Sequence, residues 1–350
     1  AQRMPSGNET DAPSVTVVVS AYNEARSIAQ CVDSILAQRQ PPNRIFVVND
    51  GSSDDTEQIL TRYQTHPNIK VINLPRNVGV PAARNLGVSN SQTDIVAFLD
   101  ADARAPVTWL QDLVQPFADP AVVATGGPDR APRGDQTFAR AVDYSLRSWI
   151  ATGRIRIENP FAPFIPAGCN LAIRRSALDE CGGFDERLDR RGEEKELIAR
   201  LRRGGHRVVY CEQAMIWHHR RVSTAQFWRQ NYLSGRARVD ILRLAPDALT
   251  LPHLAPALLV LALSGAAACL ILAGPEPLCA AVLAAYLLLL LADGLIAAVT
   301  TRSWRVAAWV PLTTAMIHWG YGIGSLIGAM RGVAGYPVGS GSVDKVTDAE

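Results

Sequence analysis

The sequence predicts an α/β chain, a parallel sheet covered by helices on both faces, followed by apolar helices that cross a membrane. Three observations carry that expectation. Between residues 14 and 100, β-branched runs alternate with helical patterns in the order β-α-β-α-β-α-β, which implies a parallel sheet with crossover helices. Acids stand where those runs end, at Asp50, Asp100 and Asp102. Residues 251–330 are nearly free of charge, whereas residues 1–248 read as a soluble domain.

The elements follow in order. "SVTVVVS" (14–20) is a continuous β-branched run, as a strand buried on both faces requires. In "NEARSIAQCVDSILAQ" the residues Ile28, Val32, Ile35 and Leu36 share one helix face. "RIFVVND" (44–50) is a second strand that ends in an acid. "DDTEQILTRY" predicts a helix capped by Asp54, with Glu57 three residues on. "NIKVINL" (68–74) is a third strand, and "GVPAARNLGVSN" a third helix with Pro81 in its first turn. "DIVAFLD" (94–100) is the fourth strand. From about 120 to 248 the pattern is less regular and rich in Arg and Gly, predicting a mixed extension of the sheet and an acceptor-side subsite.

Three apolar segments then follow, Leu251–Ala273, Leu278–Val299 and Val306–Met330. As a helix, Leu251–Ala273 measures roughly 34 Å, enough to span a bilayer. The third carries His318 and the run Gly320, Gly324, Gly328, a spacing that lets helices approach closely. Asp293 lies inside the second and is a functional candidate there, or a partner of His318. Arg236, Arg238 and Arg243 precede the first segment, and "TRSWR" (301–305) is basic. The positive-inside tendency therefore places the soluble domain on the cytoplasmic side.

Composition narrows the class. The chain is 48% hydrophobic with a net charge of +2, which is globular and argues against a nucleic-acid partner. Six cysteines form no CxxC pair and read as single buried thiols of a reducing compartment. Residues 1–13 have no apolar core; they read as a disordered lead-in and not as a signal peptide. Residues 331–350 read as a polar tail.

The question the chain poses is why "IVAFLDADARAP" (95–106) ends a buried strand in two carboxylates. Ligands of open α/β sheets bind beyond the carboxyl ends of strands. Two carboxylates one small residue apart make a hard-oxygen site suited to Mg²⁺ or Mn²⁺, which share a substrate's phosphates. "VVNDGSSDDT" sets Asp50 at another strand end, before a Gly-Ser turn, where it could accept a hydrogen bond from a base N–H. No GxGxxG follows the first strand, so the dinucleotide fingerprint is missing.

Eight stretches occur in an order that resembles family 2 glycosyltransferases of the GT-A nucleotide-sugar-binding fold. They are "AYNE" (21–24), "VVNDGSSDDT" (47–56), "RNVGVPAARNLGV" (76–88), "FLDADA" (98–103), "PAGCNLAIRRSAL" (166–178), "GGFDERL" (182–188), "GEEKEL" (192–197) and "WHHRR" (217–221). "FWRQNYLSGRARV", ahead of the apolar segments, resembles bacterial exopolysaccharide transferases of the succinoglycan kind. The resemblance implies an inverting, metal-dependent transfer of one sugar from a nucleotide-sugar, a UDP-sugar by preference, to a polyprenyl-diphosphate-linked saccharide. It implies a multi-pass protein of the bacterial inner membrane. Asp50 would read the base, with Tyr22 and Glu24 lining the pocket; Arg84 would lie near the donor and Asp100 on the ribose side. Asp102 and His218 would serve the metal. Glu194 stands at the position of the catalytic base, with the adjacent Glu193 as the alternative. Asn170, Gln230, Arg236 and Arg238 would line the phosphate and acceptor side.

The sequence departs from the family pattern at Ser20, where Pro is usual, at Asn49, at Ala103, which replaces a frequent third acid, and at Glu194, where Asp is usual. A nucleotidyltransferase is the competing enzyme class, but its Gly-rich first loop is not "SAYNEARS". A non-catalytic accessory would not need acids at 50, 100, 102 and 194. "QNYLSG" (230–235) lacks the Arg-Trp of processive synthases, so single-sugar addition is expected.

Overall fold

A computed structural model describes residues 13–132, 134, 136–153, 164–188, 191–220, 222–246 and 251–333. The expected lead-in and the polar tail lie outside these residues, apart from Pro13 and the last turn of the final helix. Ten strands form: β1 (Val15–Ala21), β2 (Arg44–Asn49), β3 (Ile69–Asn73), β4 (Ile95–Asp100), β5 (Ala103–Arg104), β6 (Val122–Gly126), β7 (Asp129–Arg130), β8 (Asn170–Arg174), β9 (Arg207–Tyr210) and β10 (Ile216–His218). The helices are α1 (Ile28–Leu36), α2 (Thr56–Leu60), α3 (Val80–Ser89), α4 (Trp109–Val114), α5 (Thr137–Ser145), α6 (Trp149–Thr152), α7 (Arg175–Cys181), α8 (Glu193–Arg203), α9 (Thr224–Leu244), α10 (Leu251–Leu272), α11 (Pro277–Thr301) and α12 (Trp304–Val333).

Seven strands make one sheet in the order β3-β2-β1-β4-β8-β6-β9. The first four run parallel, in register from Val15↔Ile95 to Ser20↔Asp100. β8 runs antiparallel to both β4 and β6, which is the mixed extension the irregular pattern predicted. Both faces are covered. Val15, Val17 and Val19 pack with Ile28, Val32 and Ile35 of α1 and with Trp109 and Leu113 of α4. Val18 and Phe98 pack on the other face with Val88 of α3, Leu178 of α7 and Leu197 of α8. Each fully buried aliphatic side chain stabilises the fold by about 1.5–3 kcal/mol, which explains why the β-branched runs are unbroken. A small second sheet, β5-β10-β7, stands at the carboxyl end of β4.

Two local expectations need correction. The first helix begins at Ile28, not at Asn23. Asn23 sits at φ 56°, and the loop before α1 is stapled to the loop after β2 instead. Glu57 does not complete a capping box on α2; its carboxylate accepts from Asn73 Nδ2 at 3.0 Å. Asp54 does organise that helix start, accepting from the Thr56 N–H at 3.0 Å.

Among the described residues two helices are long and apolar enough to cross a membrane, His253–Leu272 and Pro277–Thr301. Their outer residues are largely exposed: Leu272 is 85% exposed and Val299 79%. The third expected span behaves differently. α12 lies between the hairpin α10–α11 and the α/β domain, and buries Thr313, Thr314, Met316, Ile317 and His318. Gly320, Gly324 and Gly328 do permit close approach, but to α9. A Cβ on Gly324 would stand 2.1 Å from the Tyr232 carbonyl oxygen, and one on Gly235 of α9 would stand 2.0 Å from that of Tyr321.

Candidate active site

The site gathers where β1, β2 and β4 end. Parallel strands all deliver their carboxyl ends to the same edge, so acids at their last residues meet there. On one side two tied loops form a wall. Asn23 N–H donates to Ser52 Oγ at 2.9 Å, Ser53 N–H donates to Asn23 Oδ1 at 2.8 Å, and Ala25 N–H donates to Asp54 Oδ2 at 3.0 Å. Tyr22 is exposed and Glu24 half-buried on that wall; Glu24 accepts from Ser27 Oγ at 2.5 Å. Gly51 turns the chain at φ +67°, where a Cβ would stand 2.4 Å from the Arg76 carbonyl carbon.

Asp50 is 3% exposed. Its two oxygens accept from the N–H groups of Val78 at 2.7 Å and Gly79 at 3.0 Å, so it clamps the loop ahead of α3. Burial raises its carboxyl above the ordinary value, against those two hydrogen bonds.

Arg84, expected near the donor, is 3% exposed, and both ends of its guanidinium are taken. Nη2 donates to Asp100 Oδ1 at 2.9 Å and Nη1 to Glu193 Oε1 at 2.8 Å. Gly168 makes room, since a Cβ there would lie 2.7 Å from Arg84 Nη1. Arg84 is thus a brace between the end of β4 and the start of α8. This separates the two neighbouring glutamates. Glu193 is buried against Arg84, and burial together with Glu194 pushes its carboxyl up to about 7. Glu194 also meets a burial cost, but Lys195, its own backbone N–H, Arg84 and Arg238 outweigh it and hold the carboxyl below the ordinary value.

Beyond β4, Asp100, Asp102 and His218 bring one ligand atom each within 4.8 Å of one another. His218 Nε2 lies 3.1 Å from Asp102 Oδ1, and Nδ1 lies 3.5 Å from Asp129 Oδ2. Burial alone would lower the imidazole's affinity for a proton; Asp102, Cys169 and Asp129 reverse this and hold it well above its ordinary value. A proton and a divalent cation compete for such a site. Two carboxylates and one imidazole fit Mg²⁺ or Mn²⁺, with the nitrogen favouring Mn²⁺. Asp129, Cys169 and His218 also converge, but burial pushes the Cys169 thiol up, and a neutral sulfur ligand suits neither Mg²⁺ nor Mn²⁺. The Asp100–Asp102 side is therefore the better cation site.

The sequence reading missed the group behind His218. Arg220 is 7% exposed. Its Nη1 donates to Asp129 Oδ2, and its Nη2 to the Asp129 carbonyl and to Asp143 Oδ1, both at 2.9 Å. The available signal was alternation: His218 and Arg220 are two apart in an extended segment and share a face.

The acceptor-side residues divide. Asn170, expected on that side, is fully buried at the start of β8, accepts from Trp109 Nε1 at 2.8 Å, and donates to the Ala214 and Pro128 carbonyls at 2.7 and 3.2 Å. Its amide is structural. Gln230 and Arg236 are half-buried on α9. Arg238 is 4% exposed; its Nε donates to the Tyr321 hydroxyl at 2.7 Å, while Nη1 has no hydrogen-bond partner among the described residues.

The fold together with its likeness to known proteins gives the class: a glycosyltransferase of the GT-A, nucleotide-sugar-binding fold. Residues 16–182 match the model of Glycosyl transferase family 2, so this part of the chain is a domain of that family. A pre-mycofactocin glycosyltransferase of Mycobacterium tuberculosis is 31% identical over 244 residues, 67% of this chain and 48% of that protein. An O-antigen chain rhamnosyltransferase of Salmonella typhimurium is 25% identical over 228 residues, 61% of this chain and 71% of that protein. The chain thus spans about half the length of the mycobacterial relative. In fold it is similar to a mannosyltransferase from Pyrobaculum calidifontis solved with GDP-Man and Mn²⁺, with a TM-score of 0.63 and 22% identity over 91% of this chain and 88% of that one.

Proposed function

We propose that this chain is a membrane-attached, inverting glycosyltransferase that moves one sugar from a nucleotide-sugar, a UDP-sugar by preference, to a polyprenyl-diphosphate-linked saccharide. The observation that carries the reading is the convergence of Asp100, Asp102 and His218 at the carboxyl edge of the sheet, with Glu194 at the neighbouring helix start. Asp102 and His218 hold Mg²⁺ or Mn²⁺, assisted by Asp100. When bound, the cation offsets the charge that develops on the diphosphate leaving group. Tyr22, Glu24 and the loop that Asp50 clamps form the base pocket.

Glu194 is the general base. Its depressed carboxyl is ionised at neutral pH, whereas Glu193 is committed to Arg84. Glu194 takes the proton of the acceptor hydroxyl. The hydroxyl oxygen then forms a bond to the anomeric carbon as the bond from that carbon to the diphosphate oxygen breaks on the opposite face. One displacement inverts the configuration. The exposed leucines of α10 and α11 favour lipid contact, and the arginines of α9 favour a cytoplasmic catalytic domain in a bacterial inner membrane. The uncommitted Nη1 of Arg238 supports an anionic group, a lipid diphosphate, at the α9 side.

The test is nucleoside diphosphate release by detergent-purified protein over UDP-, GDP- and dTDP-sugars with Mn²⁺ or Mg²⁺, beside Asp102→Asn. We expect release from one donor class, lost in Asp102→Asn. No metal-dependent release from any donor, with lipid-linked sugars present, would sink the proposal.

A further inference from the structure

Asp293 does not pair with His318, the partner its place in the sequence suggested. It is 1% exposed in α11, and hydroxyl groups surround it. Tyr144 and Ser148 donate to Oδ1 at 3.1 and 2.7 Å, and Thr314 of α12 donates to Oδ2 at 2.7 Å. Two of these donors belong to the catalytic domain, on α5 and just ahead of α6. His318 is engaged nearby, through Nε2 with the Ile150 carbonyl at 2.9 Å and Nδ1 with the Tyr286 hydroxyl at 3.3 Å. A carbonyl only accepts, so Nε2 carries the proton and Nδ1 accepts from Tyr286.

The surrounding interface is apolar. Ala141 of α5 packs with Ala297, Val306 and Val310, and Phe138 and Val142 pack with Met316 and Ile317. Apolar packing of this kind tolerates sliding; a carboxylate that accepts from three fixed hydroxyls does not. Asp293 therefore sets the register of α5 on the membrane hairpin.

α5 presents consecutive residues to two different groups. Tyr144 meets Asp293 and Ser145 meets Thr313 at 2.7 Å. Asp143, the residue before, accepts from Arg220 Nε at 3.0 Å and Nη2 at 2.9 Å. Arg220 holds Asp129, and Asp129 faces Nδ1 of His218. A carboxylate on the far nitrogen of a ligating histidine sets its ring orientation and tautomer.

We propose that Asp293 is a positioning residue for the cation site. Through Tyr144 and Ser148 it fixes α5, and the Asp143–Arg220–Asp129 chain passes that position to His218. The catalytic domain then holds its cation well only when it is docked on its own membrane hairpin. This rests on the reading of Asp102 and His218 as cation ligands.

The test is a Mn²⁺ titration of the detergent-purified full chain, following free Mn²⁺ by electron paramagnetic resonance, with UDP or GDP present. Asp129→Asn, next to His218, should weaken Mn²⁺ binding about 10- to 100-fold. Asp293→Leu should weaken it about 3- to 10-fold, and should add little in the Asp129→Asn background. Ser148→Ala, a milder change at the same contact, should shift binding in the same direction and serves if Asp293→Leu does not fold. A merely structural Asp293 would lower the thermal midpoint and leave the Mn²⁺ dissociation constant within about twofold of wild type; that result overturns the proposal. Wild type that binds no Mn²⁺ would remove the cation site itself, and this inference with it.

Discussion

The two sides of the site are held by different means. On the donor side, Asn23, Asp50 and Asp54 tie loops together through backbone N–H groups. On the other side, two buried arginines each lie between two carboxylates: Arg84 between Asp100 and Glu193, and Arg220 between Asp129 and Asp143. On the proposed function, loop ties would leave Tyr22 and its neighbours free to adjust to a nucleotide. Buried ion triads do not adjust: removing one partner strands a charge in a medium that cannot solvate it. The geometry that must be exact for chemistry is thus built on the stiffer scaffold.

The sharpest way to test the division is inside the pair Glu193–Glu194. If Glu194 is the base and Glu193 a brace, Glu194→Gln lowers kcat by about 10²- to 10⁴-fold with a near-normal thermal midpoint. Glu193→Gln does the reverse in kind, lowering the midpoint above about pH 7, where the Glu193 carboxyl held by Arg84 is ionised. Equal losses of kcat in both, with stability unchanged, would erase the distinction.

Arg84 supplies the next largest effect. Arg84→Ala leaves Asp100 and Glu193 uncompensated and should cost about 3–5 kcal/mol, read as a large drop in thermal midpoint. Arg84→Lys keeps the charge but cannot reach both carboxylates at once, so its midpoint falls between. An Arg84→Ala protein as stable as wild type would show that the triad is not a structural brace.

The two sides also differ in how much of them the sequence displayed. The parallel half was legible because periodicity is local: a run such as "SVTVVVS" identifies a doubly buried strand without reference to any partner. Asp100, the last residue of such a run, and Asp102, two positions on in the turn, were visible as acids at a strand end for the same reason. Arg220 was not, since its partners Asp129 and Asp143 lie 91 and 77 positions away and strands β7 and β10 have only two and three residues. Asn170 reads as a polar residue near a site, and only tertiary contacts reveal that its amide is consumed by Trp109 and two carbonyls. α12 read as a third span because its composition is apolar and rich in glycine. The surface those glycines approach is α9 of the catalytic domain, and composition cannot name a partner.

The smallest effect is expected on the donor side, at Asp54. Its oxygens accept from Thr56 N–H at 3.0 Å, Thr56 Oγ1 at 2.5 Å and Ala25 N–H at 3.0 Å. Burial works against the charge, but these hydrogen bonds outweigh it and hold the carboxyl below its ordinary value. A carboxyl depressed in the folded state stabilises it above the unfolded pKa of about 3.9, and that contribution is lost as pH falls through the lower folded value. Asp54→Ala should therefore cost about 1 kcal/mol at pH 7, in the range of a lost helix cap, and the difference from wild type should narrow below about pH 4. Because Ala25 closes the loop that carries Tyr22 and Glu24, KM for the nucleotide-sugar should rise while kcat stays near wild type. A fall in kcat with KM unchanged would mean that this loop is as closely bound to the chemistry as the arginine triads, and the contrast between the two sides would collapse.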